Sequence, residues 1–292
     1  LSRNSDRLMG GGGATEQQDT TPPQQVTQQN SNDFSFVVPT EFVELPSGGA
    51  LYPAGHPLCG QETIEIKQMT AKEEDMLTSR SLLKKGVALE RVISSIITNK
   101  SIDPETLLVG DRNAIIIAAR ISAYGSEYAT QVTCPSCTTQ QEYSFDLNDI
   151  SFVDTSSTDS EFDGLVDLQE DGTYTVRLPR SELLVGFKVL TGKDEKDMAA
   201  GLELDKKTKG SYEKGVTRQL KNIIVSVNGN TTSEAINYVV DNLPSLDARY
   251  LRQAYRATVP NIDMTQDFEC TNCGFESALE VPLTADFFWP DR

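Results

Sequence analysis

Cys134-Pro135-Ser136-Cys137 and Cys270-Thr271-Asn272-Cys273-Gly274 are the stretches on which the fold turns. Each is a Cys-x-x-Cys knuckle, and together they use four of the chain's five cysteines. Two thiolates at that spacing can grip one metal from a tight turn, whose backbone N–H groups soften the sulfur charge. Two knuckles supply a closed four-sulfur shell, whereas a catalytic zinc would keep one position open to water. Each knuckle lies between strand-like runs: Thr130 to Thr133 and Gln141 to Phe145, then Asp267 to Glu269 and Ala278 to Val281. That is the sequence pattern of a zinc ribbon. The reading is a structural Zn2+ held by Cys134, Cys137, Cys270 and Cys273, with rubredoxin-like iron as a competing occupant of the same ligands. Disulfides within each pair do not suit a reducing cytosol. A thioredoxin-like motif would open a helix rather than a hairpin. The spacer from Thr138 to Glu269 is far longer than in a compact ribbon, so the knuckles need a reason to meet.

An internal repeat supplies that reason. Asp111 to Val153 aligns with Asp247 to Trp289 without a gap at an offset of 136, superposing Cys134 on Cys270 and Cys137 on Cys273. Upstream, Thr70 precedes Glu73 by three residues, a capping box that opens a helix. Thr191 to Met198 mirrors that segment. The helical stripe Leu89, Val92, Ile93, Ile96, Ile97 is mirrored by Leu220, Ile223, Ile224, Val227. Ala118-Ala119-Arg120 recurs as Ala254-Tyr255-Arg256. Asp111 is expected to cap one helix, ended by Gly125, and Asp247 to open its counterpart. Strands are expected at Ile64 to Ile66 and Phe187 to Leu190, with extended chain from Phe36 to Leu45. The expected fold class is α+β. It has two duplicated, mainly helical lobes, each ending in a β-hairpin Cys knuckle, with the knuckles joined as one zinc ribbon. The lobes span 34–154 and 177–292. An arm at 1–33, disordered or ordered by a partner, precedes them, and an acidic connector at 155–176 separates them.

The 292 residues carry a net charge of −17 and a pI near 4.5. Ten acidic residues and no Lys, Arg or His lie between Thr138 and Val176, while the arm contributes only −2. Most of the charge is therefore local to the stretch from Thr138 to Val176, read as a solvated linker or a docking surface for a basic partner. No apolar run reaches the length of a membrane span, and Leu1 to Gly13 lacks the apolar core of a secretory signal. A cytosolic origin is the default. The chain contains no G-x-S-x-G, Walker or Gly-rich phosphate loop, so no catalytic or cofactor-binding residues and no small-molecule substrate are assigned. Cys59 and the only histidine, His56, sit in one turn without an orienting Asn or Asp. Cys59 is read as a single buried or idle thiol.

The motifs then carry a resemblance. They are Leu45-Pro46-Ser47 with Gly49 and Leu51-Tyr52-Pro53, Met69 to Asp75, Leu77-Thr78-Ser79-Arg80, Leu108 to Asn113, Ala118 to Ile121, the Cys134–Cys137 knuckle, and Pro282 to Pro290. In this order they resemble the T4-like bacteriophage baseplate protein family, of the hub-associated type, over Phe34 to Arg292. The resemblance implies a non-enzymatic structural or assembly protein of a contractile tail, at or near the central hub. It implies other tail and baseplate proteins as partners. It places the protein in the virion tail baseplate, and in the host cytoplasm during assembly. The alternative is a nucleic-acid-binding or regulatory zinc-ribbon protein. Between Asp111 and Cys137 only Arg112 and Arg120 are basic, with no aromatic-interleaved basic patch to support it.

Overall fold

The computed structural model describes residues 37–153, 155, 162, 164–207, 214–282 and 285–288. The expected arm at 1–33 lies outside them, as does most of 154–163. Contacts divide the chain into Leu1–Val37 and Val38–Arg292. Of the first unit only Val37 is described, and all that follows concerns the second. The architecture is α+β, with eight α-helices and several small antiparallel sheets among the described residues.

β1 (Thr40–Glu44) pairs antiparallel with β2 (Thr63–Lys67), Thr40 opposite Lys67 and Glu44 opposite Thr63. The alternation places Val43, Ile64 and Ile66 inside. α1 (Ala71–Thr78) then opens on the expected capping box. The Glu73 carboxylate accepts from the Thr70 N–H at 3.0 Å, from Thr70 Oγ1, from Ser95 Oγ and from Lys67 Nζ. Burial raises the pKa of Glu73, yet these donors outweigh it and hold the carboxyl at about 2. α2 (Arg80–Lys85) and α3 (Ala88–Ile96) follow, α3 burying Val92, Ile93 and Ile96. Ile97 leaves the helix and bridges Ile66, so the chain returns to β2 as a single-residue third strand.

The second half opens on a larger sheet. β6 (Val166–Leu168), β7 (Tyr174–Arg177), β8 (Leu184–Phe187) and β9 (Ile224–Val227) form one four-stranded sheet in that order. Part of the acidic connector is thus ordered as strand, and its expected end at Val176 falls inside β7. α5 (Gly192–Lys207) opens with Asp194 accepting from Thr191 N–H, Thr191 Oγ1 and Lys188 Nζ, all at 2.8–3.0 Å. Lys, Thr and acid recur at the same spacing as Lys67, Thr70 and Glu73. α6 (Gly215–Ile223) ends where the strand begins. Ile224 and Val227, expected on a helical stripe, instead face Phe187 and Val185 across the β8–β9 ladder. A β-branched run beside an open ladder favours strand over a further helical turn. The strand expected at Phe187 to Leu190 begins and ends earlier, because Lys188 N–H turns to the Ile223 carbonyl.

α4 (Val109–Tyr124), α7 (Ser233–Asn242) and α8 (Ser245–Thr258) complete the helices. Asp111 and Asp247 are each the third residue of their helix, not its cap. Their carboxylates are buried and reach back to turns far upstream. Asp111 accepts from Ser47 N–H (3.0 Å), Ser47 Oγ (2.6 Å) and Tyr52 OH (2.8 Å). Asp247 accepts from the N–H groups of Arg180 and Ser181, both at 2.9 Å. Negative charge in a helix's first turn is also favoured by the dipole. Both upstream turns follow a Leu-Pro pair, Leu45-Pro46 and Leu178-Pro179.

The halves share one core, which runs from Ile66, Ile93 and Ile115 to Phe187, Ile223 and Leu251. Val109 N–H donates to the Leu190 carbonyl and Gly192 N–H to that of Leu107, joining the starts of α4 and α5. Arg112 pairs with Glu195, and Lys196 bridges Glu90 and Glu105. Gly110 lies against the Pro260–Asn261 backbone, where an added Cβ would sit 2.3 Å from the Pro260 carbonyl oxygen. β5 (Ser151–Phe152) pairs with β10 (Ile262–Asp263), so the end of the first half is tied to the second.

Candidate metal centre

Two hairpins carry the knuckles. β3 (Glu127–Thr133) pairs with β4 (Gln140–Asp146), Glu127 opposite Asp146 and Thr133 opposite Gln140. β11 (Thr265–Glu269) pairs with β12 (Glu276–Glu280), Thr265 opposite Glu280 and Glu269 opposite Glu276. The turns close alike. Cys134 N–H donates to the Thr139 carbonyl and Thr138 N–H to that of Cys134, both at 2.9 Å. Cys270 N–H to Phe275 and Gly274 N–H to Cys270 repeat this at the same distances. The turn demands a left-handed residue, met by Gly274 (φ +65°) and by Thr138 (φ +58°). A β-branched residue there is strained by about 1 kcal/mol or more. Thr138→Gly should therefore raise stability by roughly 0.5–1 kcal/mol in urea unfolding, whereas a loss would show that the turn does not set this cost.

The four sulfurs converge across the spacer, every Sγ lying within 4.8 Å of the others. Cys134 Sγ is 3.9 Å from Cys273 Sγ, and Cys137 Sγ is 3.7 Å from Cys270 Sγ. A tetrahedron with metal–sulfur bonds of about 2.3 Å has edges of about 3.8 Å, so the spacing fits a four-thiolate metal. It is far too long for an S–S bond of about 2.05 Å, and all five cysteines are free. Cys134 and Cys270 are buried, Cys137 is half-buried and Cys273 exposed. The donor set suits a thiophilic ion, zinc and iron alike.

Polar side chains hold the hairpins in this position without a shared ladder. Gln141 accepts from the N–H and Oγ1 of Thr271, both at 3.1 Å, and donates to the Glu269 carbonyl at 3.2 Å. Tyr143 OH donates to the Asp267 carbonyl and Gln266 to that of Asp146. Phe268 packs on Tyr143, their ring centroids 5.1 Å apart. Asn272 Nδ2 donates to Thr139 Oγ1 (3.1 Å) and lies 3.7 Å from Cys137 Sγ. Hydrogen bonds from Thr139 and Asn272 hold the Cys137 thiol down at about 5. The Phe275 amide pulls Cys273 the same way, but contacts with the other cluster sulfurs outweigh it and push that thiol up to about 12. A cation at the centre would favour the thiolate form of both.

A family model described as T4 bacteriophage base plate protein matches residues 38–289. The chain belongs to the T4 bacteriophage base plate protein family. Comparison with curated proteins and with solved structures gave no match. As a baseplate family member the protein is a structural component of a phage baseplate, placed in the virion tail with other phage proteins as neighbours. Membership favours a non-enzymatic role. No helix among the described residues is long and apolar enough to cross a membrane.

The other sequence candidates do not join this centre. Cys59 is exposed. His56 stacks on Tyr52, its ring centroid 4.4 Å away, and its nitrogens engage Thr106 Oγ1 and Leu58 N–H. Thr106 Oγ1 already donates to the Asp103 carbonyl, so His56 carries its proton on Nε2 and serves as a structural tie. The bracing residues Gln141 and Asn272 carry no sequence signature, since each acts on a partner about 130 residues away.

Proposed function

We propose that this baseplate protein is a non-enzymatic structural or assembly component at or near the central hub. Its two halves are duplicated lobes, 34–154 and 177–292, joined through residues 155–176 and stapled by one Zn2+ in a shared zinc ribbon. The convergence of four cysteine sulfurs from two matching hairpins is the observation that carries this reading. Cys134, Cys137, Cys270 and Cys273 would hold the ion, which supplies a cross-link whose binding energy becomes folding energy. Four thiolates leave no position for substrate or activated water. The duplication is supported by the paired acids on upstream Leu-Pro turns, the paired Lys–Thr–acid caps and the left-handed residues at 138 and 274. Metal analysis of the purified protein should give about one zinc per chain, removed together with its fold-stabilising effect by a strong chelator. Absence of metal with all four thiols freely reactive in the folded protein would overturn the shared site.

A further inference from the structure

We propose that the outward side of the second Cys hairpin is a docking surface for a cationic polypeptide segment of a neighbouring protein. The alternation that buries Tyr128, Val132, Phe145 and Phe268 turns the opposite side of each strand outward. That exposed side carries Glu127, Glu142 and Asp146 on the first hairpin and Asp267, Glu269, Glu276 and Glu280 on the second. No Lys or Arg occurs between Arg120 and Arg177 or between Arg256 and Arg292, so neither hairpin supplies a counter-charge. The register makes the deficit worse. Glu127 stands directly opposite Asp146, and Glu269 directly opposite Glu276. Like charges facing each other across a ladder are destabilising. Elsewhere in the fold acids are paired: Glu73 with Lys67, Asp194 with Lys188, Asp205 with Arg218, Asp241 with Lys221. Asp267, Glu269, Glu276 and Glu280 have no ion-pair partner among the described residues.

The face is also shaped to receive something. A concavity of about 490 Å³ is lined by Asp267, Glu269 and Glu276 with Tyr143, Phe268 and Ala278. Carboxylates lining a concavity suit a guanidinium or ammonium, which they hold by charge-assisted hydrogen bonds. A second copy of this chain would bring an equally acidic face, and nucleic acid would be repelled, so charge complementarity selects a basic protein segment.

The test uses the full chain and an octa-arginine peptide as probe, followed by amide chemical shifts and titration calorimetry at low salt. Shifts should concentrate at 266–280 and around Tyr143. Asp267→Asn/Glu269→Gln/Glu276→Gln should weaken binding about five-fold or more. Asp149→Asn/Asp167→Asn/Glu170→Gln, with the same change in net charge near the connector, should leave it within two-fold. Glu276→Gln alone should fold, with a midpoint unchanged or raised by about 1–2 °C as repulsion is relieved. Equal losses in the two triple variants, shifts spread over the connector, a Glu276→Gln protein of lowered stability, or tighter binding of single-stranded DNA than of the peptide would each overturn the proposal.

Discussion

On the proposed metal staple, Cys270→Ser should abolish metal binding and lower the thermal midpoint of the whole Val38–Arg292 unit by more than 10 °C. The two hairpins share no backbone ladder, and two-stranded hairpins are marginal alone. Their joint position rests on the Tyr143–Phe268 ring contact, shared core packing and a few side-chain bonds from Gln141, Tyr143, Gln266 and Asn272, each bond worth about 1 kcal/mol net. A four-thiolate zinc is worth far more, about 10–16 kcal/mol in small zinc-binding peptides. Even part of that is comparable with the 5–15 kcal/mol of net stability typical of a folded protein. Cys270 is buried, so serine there also leaves a hydroxyl in place of the proposed metal bond inside the protein. Hydrogen exchange should therefore rise in Glu127–Thr133 and Gln140–Asp146 as well as in Thr265–Glu269 and Glu276–Glu280. Loosening confined to β11 and β12 would mean that each knuckle acts alone. Cys59→Ser, at an exposed thiol, should change neither metal content nor midpoint.

The parts of this site legible in the sequence are those encoded within a few residues. A Cys-x-x-Cys turn between alternating strands is local, and so is the Thr70–Glu73 box. The meeting of the knuckles was legible only through the 136-residue repeat. What escaped was set by partners distant in sequence. Asp111 reads as a cap because Asp at a helix start usually is one, and only Ser47 and Tyr52 in place show why it is not. Ile224 fits a helical stripe and a strand equally well, and the open side of β8 decides. Gly110 gives no signal until Pro260 is beside it. β6 and β7 hide in an acid-rich stretch whose composition reads as linker, because the apolar face they need is a single alternate set, Tyr174 and Val176.

Arg120 and Arg256 stand 136 residues apart, at matching positions of the aligned segments, yet their substitution should have very unequal consequences. Arg120 is fully buried and Arg256 is exposed. The Arg120 guanidinium donates to three carbonyls, those of Phe287 (2.6 Å), Gly125 (2.7 Å) and Glu127 (3.2 Å). It thereby joins the end of α4 to the first Cys hairpin and to the 3-10 turn Ala285–Phe288. Its cation lies over the rings of Tyr124 and Phe287, at 5.3 and 5.9 Å. Phe287 in turn packs edge-on to Tyr128, whose hydroxyl donates to the Pro282 carbonyl. Arg120→Met keeps much of the volume but deprives three carbonyls of their donor, each costing about 1–3 kcal/mol when buried. A total loss of about 4 kcal/mol, or roughly 10 °C in midpoint, is expected. Arg120→Lys keeps the charge but not the planar fork, so it should recover only part, leaving a loss of about 2 kcal/mol. Arg256→Met should stay within about 0.5 kcal/mol, as exposed substitutions usually do. Equal effects at the two positions would show that Arg120 does not act as the clamp on the C-terminal turn. Loss of Phe287 packing should appear as increased proteolysis near the C-terminus before global unfolding, since the turn is released first when its donor goes.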